Sequence, residues 1–282
     1  MGIRVHSVTT IAECHIVEQL QQSIWGCDDT DVIPGHILIT IAKESGMICL
    51  VYDELDEVIG FIIAFLALHH NKQHLSHDKQ LLKLASHQVG VISDKQNKQL
   101  GYQIKLAQRD MALARGIELI TWTFDPLQGR NARLNLHKLG AVSQTYYRNI
   151  YGNMNDGFNG DLDTDRFLVE WWLDSDHVKH RLDQPTDQFP SSYTVVNPIT
   201  ESTSDGFLLP SPQTVPFTDQ TCFIELPADM NMLTAMPIAR QWQQQIAYLF
   251  ETAFETGYTV TDLLRHSDRN YFVLEKNWSQ TE

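Results

Sequence analysis

Apolar and polar positions follow two periods along this chain, and their order predicts a protein that mixes strands with helices. Stretches in which every second residue is apolar predict half-buried strands, and stretches with apolar residues every three to four positions predict helices. In the first 175 residues, strands are predicted at 3–7, 47–52, 58–68, 87–92, 117–124, 141–147 and 166–173, and helices at 11–25, 35–44, 101–115 and 131–139. The pattern therefore favours an α/β fold.

The remainder of the chain is predicted to form a smaller α+β unit behind an irregular segment. Residues 189–219 are rich in Pro, Ser and Thr and show neither period, which is typical of a linker or a wrapping segment. Beyond it, a strand is predicted at 222–226, a helix at 237–256 and two strands at 258–264 and 270–275. The predicted domains are residues 1–175, a linking segment at 176–220 and a C-terminal unit at 221–282 that packs on the first domain.

The stretch from Ser86 to Gly116 combines a strand, a polar turn and a helix. The apolar face of that helix is predicted to consist of Ile104, Leu106, Ala107, Met111, Ala112 and Ala114. Free N–H groups in the first turn of a helix, together with the helix dipole, favour an anion at such a place. The charged residues of the stretch are Lys95, Lys98, Lys105, Arg109 and Arg115, against Asp94 and Asp110. A bound phosphate group and a solvated basic helix face both agree with this local excess of positive charge.

The composition narrows the classes of protein that fit. A net charge of −14 and an isoelectric point near 5.2 argue against general binding to nucleic acid or to a membrane surface. The cysteines Cys14, Cys27, Cys49 and Cys222 are scattered without a C-x-x-C pair, as expected of thiols in a reducing cytoplasm. The longest apolar run, at 61–68, is too short to span a bilayer, and the first residues lack the apolar core of a signal peptide.

Four histidines lie in the segment 69–77, at spacings that suit a metal ion. No partnering pattern of cysteines or carboxylates accompanies them, and the segment joins two predicted strands. We therefore expect a loop near the mouth of a site and no bound metal.

The strand, turn and helix with the pattern Gln96-x-x-Gln99-x-Gly101 resemble the acyl-CoA-binding motif of the GNAT superfamily of N-acyltransferases. Gln96 and Gly101 match this motif, whereas Gln99 stands where the family usually has Gly. The block that follows, from Gly116 to Gly140, is similar to the next strand and helix of the family. The run TWTFDPLQGRN, at 121–131, resembles in particular a branch of predicted GNAT acetyltransferases.

The resemblance implies a mixed, mostly antiparallel central sheet flanked by helices, and acetyl-CoA or another acyl-CoA as co-substrate. It implies that main-chain N–H groups from Gln96 to Tyr102 hold the pyrophosphate, that an N–H near Val91 polarises the thioester carbonyl, and that Asn131 touches the CoA arm. The residues that would bind the co-substrate are Val91, Ile92, Gln96, Lys98, Gln99, Gly101, Tyr102 and Asn131.

The residues that would transfer protons are less clearly indicated than those that would bind the co-substrate. Many GNAT enzymes have a tyrosine acid at the place where this chain has Leu136. Tyr146, Tyr147 and Tyr151 are nearby in sequence and could substitute, although packing or a place on the surface also explains each of them. His87 is a candidate base if its side chain faces the cleft, and a histidine satisfied in the core is the alternative. Asp125, at the end of a strand, is either catalytic or a turn former.

The resemblance implies an N-acyltransferase that moves an acyl group, in the first place acetyl, from acyl-CoA to a primary amine by direct attack on the thioester. The alternative is a binding or regulatory protein of GNAT fold whose cleft is degraded. Gln99 and Leu136, which depart from the family pattern, favour this alternative. The acceptor would be a small-molecule or peptide amine. We expect neither nucleic acid nor membrane as a partner, and a homodimer stays open.

Overall fold

The computed structural model describes residues 2–26, 30–69, 81–95, 99–152, 162–184, 186–191, 193–228 and 236–279. The chain divides into two compact units, Met1–Trp122 and Thr123–Glu282. The predicted boundaries at residues 175 and 220 stay a prediction.

The first unit is a mixed sheet with helices. Its elements are β1 (Arg4–Ser7), α1 (Ile11–Trp25), α2 (Gly35–Lys43), β2 (Met47–Tyr52), β3 (Val58–His69), β4 (Leu81–Val91), α3 (Leu100–Leu113) and β5 (Leu119–Phe124), whose last two residues fall in the second unit. The strands lie in the order β1-β2-β3-β4-β5. The pairs are antiparallel except for β4 with β5, which is parallel. The predicted α/β fold with a mostly antiparallel sheet is confirmed.

Local signals explain the first helix. The side chain of Thr10 accepts a hydrogen bond from the N–H of Glu13, and the Glu13 carboxylate accepts one from the N–H of Thr10, which together form a capping box. Gly26 ends the helix with a φ of 64°, a left-handed conformation that glycine adopts without strain. The helices α1 and α2 pack apolar residues on one face of the sheet, in a core formed by Val8, Cys14, Val17, Leu20, Leu38, Ile48, Leu50, Phe61 and Ile63.

Two predictions for the central stretch need correction. Strand β4 begins at Leu81 and not at His87, because it pairs with β3 along almost its whole length, from His69 opposite Leu81 to Gly60 opposite Val91. The buried face of α3 also differs from the predicted one, and consists of Leu100, Ile104, Lys105, Gln108 and Ala112. The polar side chains of Lys105 and Gln108 are thus buried, although the predicted apolar face of the helix did not include them.

The second unit contains the remaining elements. They are α4 (Gly129–Ala132), a π-helical turn (Arg133–Lys138), β6 (Val142–Tyr147), β7 (Arg166–Trp172), α5 (Asp176–Asp183), β8 (Thr194–Val195), β9 (Thr221–Pro227), α6 (Met236–Glu255), β10 (Tyr258–His266) and β11 (Arg269–Lys276). The strands of this unit lie in the order β7-β6-β10-β11-β9-β8. The helix predicted to open at Asn131 begins two residues earlier, at Gly129.

Aromatic rings form the core of the second unit. Phe167 of β7 lies edge-on to Phe250 of α6 at 4.6 Å between ring centroids, and Phe272 of β11 lies 5.9 Å from Phe167. Edge-to-face pairs at these distances add to the burial of the rings themselves. The C-terminal strands and α6 therefore share one core with β6 and β7.

Three further findings concern the described residues. Cys14, Cys49 and Cys222 are free and buried thiols. No group of three or more histidine, cysteine or carboxylate side chains in the described ranges could hold a metal ion, and most of the histidine-rich segment lies outside them. In the same ranges, no helix combines the length and the apolar character that crossing a membrane would require.

Candidate active site

The pairing between strands β4 and β5 ends soon after it begins, and we call the unpaired stretch beyond it the wedge. They pair at only two positions, the second of which joins Ala85 to Thr121. No further pair between these strands follows among the residues that the structure describes, although β4 continues to Val91. The edge of β4 from Ser86 to Gly90 therefore presents main-chain groups toward the wedge instead of toward a β5 ladder.

A β-bulge interrupts β4 next to the point where the wedge opens. Ile63 of β3 lies opposite Gln88 and Ala64 lies opposite Ser86, so His87 has no partner on β3. A bulge leaves one residue out of the ladder and redirects the neighbouring side chains, and bulges are common beside active sites. The alternation of apolar residues did not signal this bulge.

His87, the predicted base, is the bulged residue. Its ring lies 6.1 Å from the ring of Phe65, between centroids. Part of the side chain is accessible, but the surrounding protein removes hydration and lowers the pKa of the imidazole below its usual value of 6.5. The ring is then neutral near pH 7 and able to accept a proton. Its role as a base stays a prediction.

The turn between β4 and α3 contains the predicted phosphate-binding residues. Strand β4 ends at Val91, and the N–H of Ile92 donates to the carbonyl oxygen of Ile59 at 3.0 Å, so this amide is already used. Residues Ser93–Lys95 form a 3-10 turn. Gln96 and Lys98 lie outside the described residues.

Helix α3 begins beside this turn without a side-chain cap. Gly101 and Tyr102 lie in its first turn, where main-chain N–H groups have no acceptor within the helix. The first helical hydrogen bond runs from the N–H of Gln103 to the carbonyl oxygen of Gln99 at 3.1 Å. An uncapped N-terminus of this kind favours an anionic ligand.

Gln99 adopts a left-handed conformation, with φ of 58° and ψ of 16°. A residue with a Cβ atom is strained in this region, and glycine is not. Glycine, which the motif that the sequence resembles has at this position, would adopt the same conformation without strain.

A buried polar cluster lies on the α3 side of the wedge. The Lys105 ammonium donates to Ser86 Oγ and to Gln108 Oε1, both at 3.1 Å, and lies 3.8 Å from the centre of the Trp122 ring. The Nε2 of Gln108 donates to Ser86 Oγ at 3.1 Å. Lys105 is only 5% exposed. Burial lowers the pKa of its amine from 10.5 to about 7.

We did not predict this cluster from the sequence, in which Lys105 counted only toward the local excess of positive charge. A signal was present, since Leu100, Ile104, Gln108 and Ala112 recur at helical spacing and Lys105 lies on the same side. Polar residues on a helical stripe of this kind point to a buried network or a site.

Two tyrosine candidates lie on β6 in the second unit. The hydroxyl of Tyr146 donates to Asp165 Oδ2 at 2.8 Å, and its ring stacks on Phe250 at 6.1 Å between centroids. Burial, and next the charge of Asp165, raise the pKa of the Tyr146 phenol above its usual range. Tyr147 is exposed on the same strand.

The other sequence candidates of the second unit have structural contacts. Asp125 Oδ1 accepts from the N–H of Leu127 at 2.9 Å, which is the contact of a turn former, and burial raises the pKa of its carboxyl. Asn131 is exposed and accepts from the side chain of Asn135 at 3.2 Å. Leu136, at the place of the family's tyrosine, is fully buried.

Comparison with known proteins gives structural likenesses only. No family model matches the sequence, and no curated protein matches it. The structure of NAA60 from Arabidopsis thaliana with acetyl-CoA is 10% identical, with a TM-score of 0.47 over 61% of this chain and 99% of that one. A Desulfovibrio desulfuricans protein described as a GNAT-family acetyltransferase is 9% identical, with a TM-score of 0.44 over 61% and 99%. The ribosomal-protein-S18-alanine N-acetyltransferase of Escherichia coli is 13% identical, with a TM-score of 0.43 over 60% and 92%.

Proposed function

We propose that this protein is an N-acyltransferase of the GNAT type, which moves an acyl group, in the first place acetyl, from acyl-CoA to the primary amine of a small molecule or peptide. The observation that carries the proposal is the wedge between β4 and β5, which opens after Ala85 and Thr121. An extended pantetheine arm can pair with the unladdered edge of β4 as a further strand would.

The phosphates of the donor would lie at the start of α3. The N–H groups of Leu100, Gly101 and Tyr102 and the positive end of the helix dipole supply the recognition there. These contacts come from main-chain N–H groups. They therefore do not require the glycine that the family motif has at the position of Gln99.

The thioester would lie beside the bulge. Main-chain N–H groups of β4 that point into the wedge would hold the oxyanion that forms when the amine attacks. Direct attack forms the C–N bond and breaks the C–S bond, without a covalent enzyme intermediate. His87 would take the proton that the amine loses.

Gln88 offers a contact for the acceptor. Its Oε1 is buried and has no hydrogen-bond donor among the described residues. It lies on the same strand as His87 and next to it. An amine N–H of the acceptor would satisfy this oxygen.

A second candidate function is acyl-CoA binding without turnover, in a regulatory protein. The specific observation in its favour is Leu136, a fully buried apolar side chain where many GNAT enzymes have a tyrosine acid. This alternative predicts the same binding and no release of CoA.

The test combines calorimetric titration with acetyl-CoA, a long-chain acyl-CoA and CoA, and an assay of CoA thiol release with a panel of amines. Two matched variants probe the start of α3. Gly101→Ala keeps the N–H at this position, and Gly101→Pro removes it in a first turn that tolerates proline. We expect the alanine variant to bind acetyl-CoA like the wild type and the proline variant to bind about tenfold more weakly.

The outcomes separate the candidates. Binding and amine-dependent release of CoA support the acyltransferase, and initial rates that indicate a ternary complex support direct attack. Binding without release over the whole amine panel favours the regulatory protein. No binding of any of the three ligands contradicts both.

A further inference from the structure

The Lys105 ammonium is buried, and no carboxylate among the residues that the structure describes forms an ion pair with it. Its hydrogen bonds go to Ser86 and Gln108, which are neutral, and its third close contact is the face of the Trp122 ring. Within the ranges that the structure describes, no ion pair involves Lys105, and desolvation alone accounts for the lowering of its pKa. Burying an unpaired charge destabilises a fold, so an apolar residue would suit a merely structural position better.

The position of this cation follows from the strand pairing. Ser86 comes directly after Ala85, the last residue of β4 that pairs with β5, and Trp122 comes directly after Thr121, its partner. The Lys105 ammonium contacts both Ser86 and Trp122. It therefore lies at the apex of the wedge, where the two strands part.

The hydrogen bonds leave a route for a proton. Ser86 Oγ accepts from Lys105 and from Gln108 Nε2, so its own proton can be donated away from the cluster. Its alternative acceptor within the cluster, Gln108 Oε1, is farther away, at 3.3 Å. A proton can thus pass from the ammonium to the hydroxyl of Ser86, the first residue of β4 beyond its pairing with β5.

We propose that Lys105, acting through the Ser86 hydroxyl at the apex of the wedge, supplies the proton that the departing CoA thiolate takes up. This inference rests on the proposed acyltransferase function and names the acid which that reaction needs.

The step balances as follows. The amine nitrogen forms the C–N bond, the C–S bond breaks, and its electron pair goes to sulfur. Sulfur takes the proton of Ser86, Ser86 takes a proton of Lys105, and the ammonium becomes an amine. The proton that the attacking nitrogen loses passes to the base, and Lys105 regains a proton from solvent after CoA has left.

A pKa near 7 suits this role, since a general acid works best when its pKa lies near the working pH. The cation also stabilises the developing thiolate before the proton moves. Lys105 is in this scheme a positioning and proton-supplying residue, and Ser86 is the group that meets the sulfur.

The test compares Lys105→Met, Ser86→Ala and, as a control, Lys179→Met, which removes an exposed lysine of α5. The methionine side chain is similar in length to that of lysine and carries no charge, so the Lys105→Met variant should fold. Two readouts are measured on each purified protein. One is the pH profile of kcat with acetyl-CoA and an amine. The other is the ratio of the affinities for CoA and desulfo-CoA, which needs no turnover.

For the wild type and for Lys179→Met, we expect kcat to fall as pH rises through about 7, because the acid is lost, and CoA to bind about tenfold more tightly than desulfo-CoA. In Lys105→Met, we expect kcat to fall about 100-fold with little change in KM, the falling limb near pH 7 to vanish, and the preference for the sulfur to disappear. Ser86→Ala should lower kcat in the same way.

Either of two results would overturn the inference. If wild type and Lys105→Met share kcat, its pH profile and the preference for CoA over desulfo-CoA, Lys105 is structural and the acyltransferase proposal stands. If the wild type binds neither CoA nor acetyl-CoA, the proposed function falls and this inference falls with it.

Discussion

The hydroxyl of Tyr146 donates a hydrogen bond to Oδ2 of Asp165 at 2.8 Å, and Oδ1 of the same carboxylate accepts from the N–H of Asn149 at 2.9 Å. One carboxylate thus ties strand β6 to the turn that follows it. A phenol held by a carboxylate gives up its proton reluctantly, because the phenolate would lie beside a negative charge.

This relationship makes Tyr146→Phe an informative variant. We expect it to lose about 1–2 kcal/mol of unfolding free energy, since Asp165 loses a charge-assisted hydrogen bond, and to keep kcat within about threefold. Urea unfolding and the CoA-release assay measure the two effects. Tyr147→Phe is the control on the same strand and should change neither. A hundredfold fall in kcat with unchanged stability would instead make Tyr146 the acid.

His87 should determine the acid limb of the pH profile of kcat/KM. Its pKa lies below 6.5 because the protein removes hydration from the ring, so kcat/KM should fall only as pH drops through that lower value. We expect His87→Gln to lower kcat/KM about 100-fold and to remove this limb. Part of the side chain is accessible to solvent and glutamine is of similar size, so the variant should keep its unfolding midpoint. An unchanged acid limb in His87→Gln would exclude the imidazole as the base.

Gln99 should be replaceable by glycine with a gain. Its φ of 58° strains any residue with a Cβ atom, by roughly 1 kcal/mol. We expect Gln99→Gly to raise the unfolding free energy by about 0.5–1 kcal/mol, since part of the relief is offset by the larger freedom of glycine in the unfolded chain. Acetyl-CoA affinity should stay equal or increase. A loss of stability would show that the Gln99 side chain contributes contacts that outweigh the strain.

Lys105 should make stability depend on pH above neutrality. Its pKa is about 7 in the folded protein and 10.5 for a fully hydrated lysine, so between these values the unfolded chain binds more protons than the folded one. Stability attributable to this group therefore rises with pH across that window and is lost as pH falls toward 7. We expect a gain on the order of 3 kcal/mol from pH 7 to pH 9.5. Lys105→Met should be more stable than the wild type at pH 7 and should lack this slope. A wild-type slope that persists in the variant would assign it to other groups.

A buried ion pair of the second unit should matter more than an exposed one. Arg181 and Asp262 lie 2.7 Å apart, with the Asp262 side chain 5% exposed, and His137 Nδ1 lies 3.0 Å from the same carboxylate. Asp262→Asn leaves Arg181, whose side chain is 17% exposed, without its counter-ion, so we expect a loss of about 3 kcal/mol of unfolding free energy. The exposed pair of Lys179 and Asp174 is the control, and Asp174→Asn should cost less than about 1 kcal/mol. Equal losses in the two variants would contradict this account.

Sequence patterns were sufficient for the order and type of most elements, although they did not predict α5 or β8 within the linking segment. The capping box of Thr10 and Glu13, the stop at Gly26 and the alternation in β2 act within a few residues, so their effects can be read locally. The turn and the helix around Gly101 could also be read locally, and anion binding at this turn stays a prediction.

Only the tertiary structure decided what surrounds that turn. The start of β4 at Leu81, the bulge at His87 and the end of pairing after Ala85 depend on partners in β3 and β5, which are distant in sequence. The burial of Lys105 against Ser86 and Trp122 likewise arises only when β4, α3 and β5 come together. The sequence by itself therefore determined most of the elements, because these follow from local periods and turn chemistry. The three-dimensional packing decided which polar side chain lies at the apex of the wedge, since burial depends on distant contacts.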